Sequence, residues 1–324
     1  MSVEEIRAAA GRLRGVAVRT PLVPFGFPPV AGGPRLLVKP ESLQPTGSFK
    51  LRGAYTTISA LPAAARRRGV IAHSSGNHAL AVAYAAALFG APAVVVVPEN
   101  APRIKTDAAA ACGAELVWVA PTLAARLAAT EEQIARHDYT LIPPFDDRRV
   151  IAGQGTAGLE IAADCPEADV VVVPVSGGGL ISGIAAAMAA SCPAARVVGV
   201  EPELAADARD SLRGGKRVAW PAALTQRTIA DALRVEQVGA LPFLHMLSLV
   251  HDIVTVTDEE MLEAVRRLAR EARLIAEPGG AAAVAACLFR QAELPPGNTR
   301  VAVLSGGNID PALLAEILGS ARVD

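Results

Sequence analysis

Four short segments of this chain hold residue types that do chemistry when brought to one place. In Gly47-Ser48-Phe49-Lys50-Leu51, a lysine stands between two apolar side chains where a helix is expected to start. Apolar surroundings and the positive end of a helix dipole both disfavour an ammonium, so the amine should become a nucleophile toward carbonyl groups. Most lysines are solvated surface charges, and local context alone leaves that reading open. In Val175-Ser176-Gly177-Gly178-Gly179-Leu180, three glycines follow an apolar run. Such a loop offers bare backbone N–H groups and a helix N-terminus to an anion, or else makes a tight strand-to-helix turn. It lacks the Lys-Ser/Thr ending of a nucleotide P-loop and misses the dinucleotide spacing. In His73-Ser74-Ser75-Gly76-Asn77-His78, two hydroxyls and an amide make a cradle for a carboxylate or an ordinary helix cap. His78 has no second histidine at metal-ligand spacing, which favours a structural role. In Leu304-Ser305-Gly306-Gly307-Asn308, a neutral hydroxyl closes the last apolar run.

These segments need elements to position them. Strands are expected at Leu36–Lys39, Val70–His73, Ala93–Val97, Glu115–Val119, Val170–Pro174, Val197–Glu201, Ile253–Val256 and Arg300–Leu304. Helices are expected near Lys50–Ala60, Asn77–Phe89, Arg103–Ala111, Leu123–Arg136, Ile181–Ala190, Asp258–Ala272 and Gly280–Phe289, with an N-terminal helix capped by Ser2. Apolar strands alternating with single helices indicate an α/β protein with parallel-rich twisted sheets flanked by helices. Each loop follows a strand, and ligands collect at the carboxyl ends of such strands.

Composition narrows the functions. Of the 324 residues 52% are hydrophobic and the net charge is −1, so a packed core is expected and no basic surface for nucleic acid. Cys112, Cys165, Cys192 and Cys287 form no metal-binding or disulfide pattern. The uncharged stretch from Ala79 to Pro98 is split by Gly90 and Pro92, so helix and strand are read there, with no membrane span. A start without an apolar signal region suits a cytoplasmic protein.

Taken in order, the four loops resemble those of the fold-type II pyridoxal-phosphate enzymes, in the serine/threonine dehydratase and serine racemase branch. The resemblance runs from Thr20-Pro21-Leu22 through the fourth loop and includes Ile151–Glu160. It implies a two-domain, tryptophan synthase β-like architecture. Residues 1–68 plus 146–324 would form the large domain, and 69–145 a small mobile one. It implies pyridoxal 5'-phosphate as cofactor, carried on Lys50 as a Schiff base beside Phe49. Asn77 would meet the ring hydroxyl, Ser176, Gly177, Gly178 and Gly179 the phosphate, and Ser305 the ring nitrogen. Ser74, Ser75, Gly76 and His78 would line the substrate carboxylate, with Ser75 as a second acid/base. Arg126 would approach the site mouth. Glu201, Ala205 and Asp207 match a cation site for Mg²⁺ or Ca²⁺. A homo-oligomer, a dimer, is expected.

The activity so implied is removal of the β-hydroxyl from threonine or serine, giving a 2-oxo acid and ammonia. Serine racemisation, 3-hydroxyaspartate dehydration, β-replacement and a non-catalytic phosphate-ligand protein are the alternatives. Leu51 stands where cysteine and threonine synthases carry aspartate. The chain ends soon after Asn308, so no regulatory domain is expected. Three positions depart from the family pattern. Ala232 replaces a usual glycine after Asp231, Ser176 opens the phosphate loop, and Gly279-Gly280 follow Pro278.

Overall fold

The computed structural model describes residues 1–26, 33–74 and 76–320. Its strands are β1 (Val23–Phe25), β2 (Arg35–Pro40), β3 (Val70–His73), β4 (Ala93–Pro98), β5 (Glu115–Val119), β6 (Thr140–Leu141), β7 (Val170–Pro174), β8 (Arg196–Pro202), β9 (Asp252–Val256) and β10 (Thr299–Leu304). They form two sheets. One has six strands in the order β1-β2-β10-β7-β8-β9, and the other has four in the order β5-β4-β3-β6. Every pairing is parallel except β1 with β2. Val-rich β4, β7 and β10 are buried along their whole length, as strands covered on both faces must be. The eight expected strands form within a residue at either end. β1 and β6 escape sequence reading because two or three residues carry no periodicity.

The uncharged stretch divides as read, into helix Asn77–Leu88 and β4 around Gly90, whose φ is +60°. No helix among the described residues is long and apolar enough to cross a membrane. The N-terminal helix Val3–Leu13 carries a full capping box from Ser2 and Glu5. One expected helix changes pitch: the α-helix ends at Arg267, and Leu268–Ala272 winds as a π-turn.

Three helices meeting at glycines decide where the site lies. The helix Arg148–Asp164 was not expected, because Gly153, Gly155 and Gly158 lower helix propensity. It forms because tertiary packing requires those glycines. A Cβ on Gly153 would lie 2.5 Å from the Arg52 carbonyl oxygen, and one on Gly158 would lie 2.8 Å from Ala187 Cβ. A Cβ on Gly183 would strike the backbone of Gly155 and Ile151. Helices Lys50–Ser59 and Gly179–Ser191 therefore rest on Arg148–Asp164 at backbone-contact distance. Their N-termini carry Lys50 and the glycine loop.

A buried ion network pins the first of these helices. Arg52, 1% exposed, binds Glu41 Oε2 at 2.7 Å and Glu160 Oε1 at 2.7 Å. Lys39 adds a contact to Glu160 Oε2 at 2.6 Å and donates to the Thr20 carbonyl at 2.6 Å.

Candidate active site

Lys50 begins its helix as expected, and its Nζ donates to the Pro144 carbonyl at 2.7 Å. Burial lowers its pKa to about 8, the direction expected from its apolar flanks. Nζ lies 5.1 Å from the Phe49 ring centroid. Among the described residues no carboxylate charge opposes that shift, and desolvation is its cause.

The loops converge. Ser48 and Gly306 form a bridge, Phe49 N donates to Ser305 O at 3.1 Å, and Gly307 N donates to Gly47 O at 2.9 Å. These bonds bring the last loop against the first. Asn308 Nδ2 donates to Asn77 Oδ1 at 2.9 Å and so adds the third loop. Pro144 and Phe145 add the second, since the Phe145 ring packs where a Gly177 Cβ would stand.

The glycine loop has both features weighed from sequence. It is a tight turn: Gly178 has φ +85°, and a Cβ there would lie 2.8 Å from Pro242 Cβ. It also has spare donors. The first-turn N–H groups of helix Gly179–Ser191 have no partner within that helix. Ser176 Oγ is buried without a hydrogen-bond partner among the described residues. A buried hydroxyl left unpaired costs about 1–3 kcal/mol, and an anion seated in the loop relieves it. The residues present therefore fit a phosphate.

Asn77 is the first residue of helix Asn77–Leu88, buried, with its amide donating to Glu277 Oε1 at 2.5 Å. Ser305 is 6% exposed, and its N–H donates to the Gly280 carbonyl at 3.2 Å. Ser74 Oγ accepts from Gly76 N at 3.2 Å and shapes the turn before that helix. Ser75 lies outside the described residues.

His78 points away from proton chemistry. It is buried, its Nε2 meets the Ile142 carbonyl at 2.8 Å, and burial and the Lys50 charge push its pKa down to about 3. Arg126 sits in the first turn of helix Leu123–His137, half-buried. Burial, then the Arg126 charge, lowers the pKa of His73 at the end of β3, and Glu236 acts on Arg126. Arg126 lies near the strand end, and its Nε donates to the Thr122 carbonyl at 3.5 Å.

The expected cation ligands Glu201, Ala205 and Asp207 are buried. Glu201 is wholly buried and accepts from Ala208 N at 3.1 Å and Arg209 N at 2.8 Å. Asp207 Oδ2 accepts from Val238 N at 2.7 Å. Burial raises both pKa values, that of Asp207 to about 7, and the Asp207 charge further raises Glu201. Among the described residues, however, no group of three His, Cys, Asp or Glu is placed to hold a metal. The fit to Mg²⁺ or Ca²⁺ is partial: two carboxylates, both engaged by backbone N–H groups.

Residues 13–306 match the family model described as "Pyridoxal-phosphate dependent enzyme". The chain is a pyridoxal-phosphate-dependent enzyme. It is 38% identical to the L-threonine ammonia-lyase of Thermotoga maritima over 100% of this chain and 79% of that one. A solved T.th. threonine deaminase superposes with a TM-score of 0.90 at 42% identity, covering 96% of this chain and 99% of that one. Maize serine racemase superposes with a TM-score of 0.92 at 35% identity, covering 97% and 96%.

Sequence reading missed the enzyme's Pro144 carbonyl and Phe145 ring, which sit beside Lys50 and the glycine loop. It also missed Asn308 and Glu277, which flank the Asn77 amide. Asn308 and Glu277 were visible only as ends of glycine-rich runs, and nothing local marked their partners.

Proposed function

We propose that the enzyme is an ammonia-lyase that converts threonine or serine to a 2-oxo acid and ammonia. The observation that carries this reading is the Lys50 amine, lowered to about 8 by burial, in a segment against which the Ser305–Gly307 loop is hydrogen-bonded. Pyridoxal phosphate, when bound, supplies the electron sink that lets a proton leave the substrate α-carbon. Ser176 to Gly179 would hold its phosphate, Phe49 and Asn77 its ring, and Ser305 would face the ring nitrogen with a neutral hydroxyl.

Lys50 is the base in this reading. Its Nζ takes the α-proton and returns it to the departing β-hydroxyl, which leaves as water. Water then returns to the carbon skeleton as ammonia departs, so the net change is loss of ammonia alone. The Ser74-to-Gly76 turn and the first N–H groups of helix Asn77–Leu88 would orient the α-carboxylate. Ser75 is proposed as the second proton carrier, which would allow racemisation as a side activity. Residues 69–145 are proposed as a small domain that closes over the larger one, made of 1–68 and 146–324. The four-stranded sheet, drawn from residues 70–141, supports that division.

Arg126 favours a second reading within the same class. A half-buried arginine near His73 suits a substrate with a second carboxylate, such as 3-hydroxyaspartate. The reading includes a cation at Glu201, Ala205 and Asp207. A rise in melting temperature with Mg²⁺ or Ca²⁺, lost in Glu201→Gln, would support it.

The test is 2-oxo acid release from L- and D-serine, threonine and 3-hydroxyaspartate. Release from threonine or serine supports the reading. α-Proton exchange without 2-oxo acid would turn it to racemisation. A chain with no visible cofactor band sensitive to hydroxylamine would sink the catalytic reading altogether.

A further inference from the structure

Behind the substrate-side turn, a buried ion cluster joins the two sheets. Lys105 belongs to helix Arg103–Ala111, which connects β4 to β5, and it is 1% exposed. Its Nζ lies 2.7 Å from Asp231 Oδ2 and 2.8 Å from Glu277 Oε2. Both acids come from the other layer. Asp231 opens a turn whose Leu233 packs in the six-stranded core, and Glu277 precedes helix Pro278–Phe289 in the same core.

Glu277 passes the contact onward. Its Oε1 accepts from Asn77 Nδ2 at 2.5 Å, while Asn77 Oδ1 accepts from Asn308 Nδ2 at 2.9 Å. Asn308 Nδ2 also donates to the Thr46 carbonyl at 2.9 Å, which settles its own orientation. The Asn77 amide is therefore gripped at both ends. Asn308 sets which way the Asn77 amide points, and an ionised Glu277 makes the bond at the other end charge-assisted, because a carboxylate only accepts.

A carboxylate 2% exposed stays ionised only beside a cation. Burial raises the Glu277 pKa above its ordinary value, the Lys105 charge limits that rise, and the Asp231 charge adds to it, so the carboxylate depends on its lysine. Burial would lower Lys105, but Glu277 and Asp231 outweigh it and hold the ammonium above its ordinary range. The lysine stem has a second contact. A Cβ added to Gly76 would lie 3.4 Å from Lys105 Cδ, so the stem packs against Gly76.

We propose that Lys105 is a positioning residue for the cofactor: it pairs with Glu277 across the boundary between the two layers and so holds the Asn77 amide in place through a charge-assisted bond. This rests on the reading that Asn77 borders the cofactor ring. Lys105 touches neither cofactor nor substrate in this role. Its effect travels through one carboxylate and one amide, so neutralising the carboxylate should cancel the loss of the lysine.

The test is a double-variant cycle on the purified holoenzyme, read by the pyridoxal phosphate dissociation constant and the position of the visible band. Lys105→Met keeps the stem and removes the charge. It should weaken cofactor binding about tenfold or more, the worth of a charge-assisted bond, and shift the band. Lys105→Met with Glu277→Gln removes the buried unpaired carboxylate, leaves only the one-quarter-exposed Asp231 to be met by water, and still offers Asn77 an acceptor. It should return both readouts to within about threefold of wild type. Lys105→Arg should also retain them. An unchanged band and dissociation constant in Lys105→Met, or a loss that Glu277→Gln fails to rescue, would overturn the proposal. If Lys105→Met does not fold, the double variant must still fold and bind, and its failure counts against the proposal equally. A wild-type chain that takes up no pyridoxal phosphate overturns the functional reading as well, whereas an unaffected Lys105→Met overturns this inference alone.

Discussion

Lys50 and Arg126 show how much one environment changes a cation. Burial brings Lys50 from 10.5 to about 8, so half its population is neutral at a pH where a solvated amine stays charged. The neutral amine is the nucleophile. The rate at which apo-protein captures pyridoxal phosphate should therefore rise with pH and level off above about 8, as stopped-flow absorbance would show. A rate still climbing toward 10.5 would mean a solvated lysine. Lys50→Ala should lose the borohydride-reducible attachment, and label on Lys39 or Lys105 instead would sink the assignment. Arg126 lies half-buried near His73 with no carboxylate bonded to its guanidinium among the described residues. A charge-assisted bond is worth roughly 1.5–3 kcal/mol, so Arg126→Ala should lower kcat/KM for 3-hydroxyaspartate about tenfold or more, selectively over serine. Equal effects on both substrates would show that Arg126 reads no side-chain carboxylate.

Elements hold these residues in place through contacts that are costly to break singly. Helix Lys50–Ser59 is tied by Arg52 to Glu41 and Glu160, both strongly engaged. Removing one partner of a buried ion network strands the others, so Arg52→Met should destabilise the fold by about 3–5 kcal/mol in urea unfolding. A change under about 1 kcal/mol would show that the network is solvated in solution. Helix Asn77–Leu88 is pinned to the chain after β6 by His78 and Ile142. Folded His78 titrates at about 3 and the unfolded ring at 6.5, so the unfolded state binds the extra proton between those values. Its full stability is present above 6.5 and falls as pH drops toward 3. At pH 5 the loss is about 2 kcal/mol, and His78→Gln should flatten that part of the pH–stability curve. An unaltered slope in the variant would place the acid sensitivity elsewhere.

For the whole molecule, the loops on β2, β7 and β10 belong to one sheet, and the Asn77 turn on β3 belongs to the other. The site is assembled across that boundary. If residues 69–145 close as a small domain, ligand should slow hydrogen exchange there more than elsewhere. Alanine is the useful ligand, since it has the α-amine and carboxylate but no leaving group. With pyridoxal phosphate bound, adding alanine should protect helices Asn77–Leu88 and Arg103–Ala111 while β7 and β10 stay unchanged. Uniform protection, or none, would show that the two layers move as one body.

What sequence alone determined is local. Val70–His73 and Val170–Pro174 read as strands because a short apolar run between turn residues has few other solutions. Lys50 read as a lowered amine because its neighbours are themselves apolar. The four loops in order, with their spacing, pointed to the family before any coordinate. The tertiary structure decided what depends on distant partners. Helix Arg148–Asp164 exists despite its glycines, because Arg52, Gly183 and Ala187 leave no room for a Cβ. The Asn77 amide is oriented by Asn308, 231 residues away, and by Glu277, 200 away. Lys105 bears no local mark at all, since an ion pair across two layers repeats with no period and caps no element. Only packing brings a lysine between two acids, and only burial makes that meeting matter.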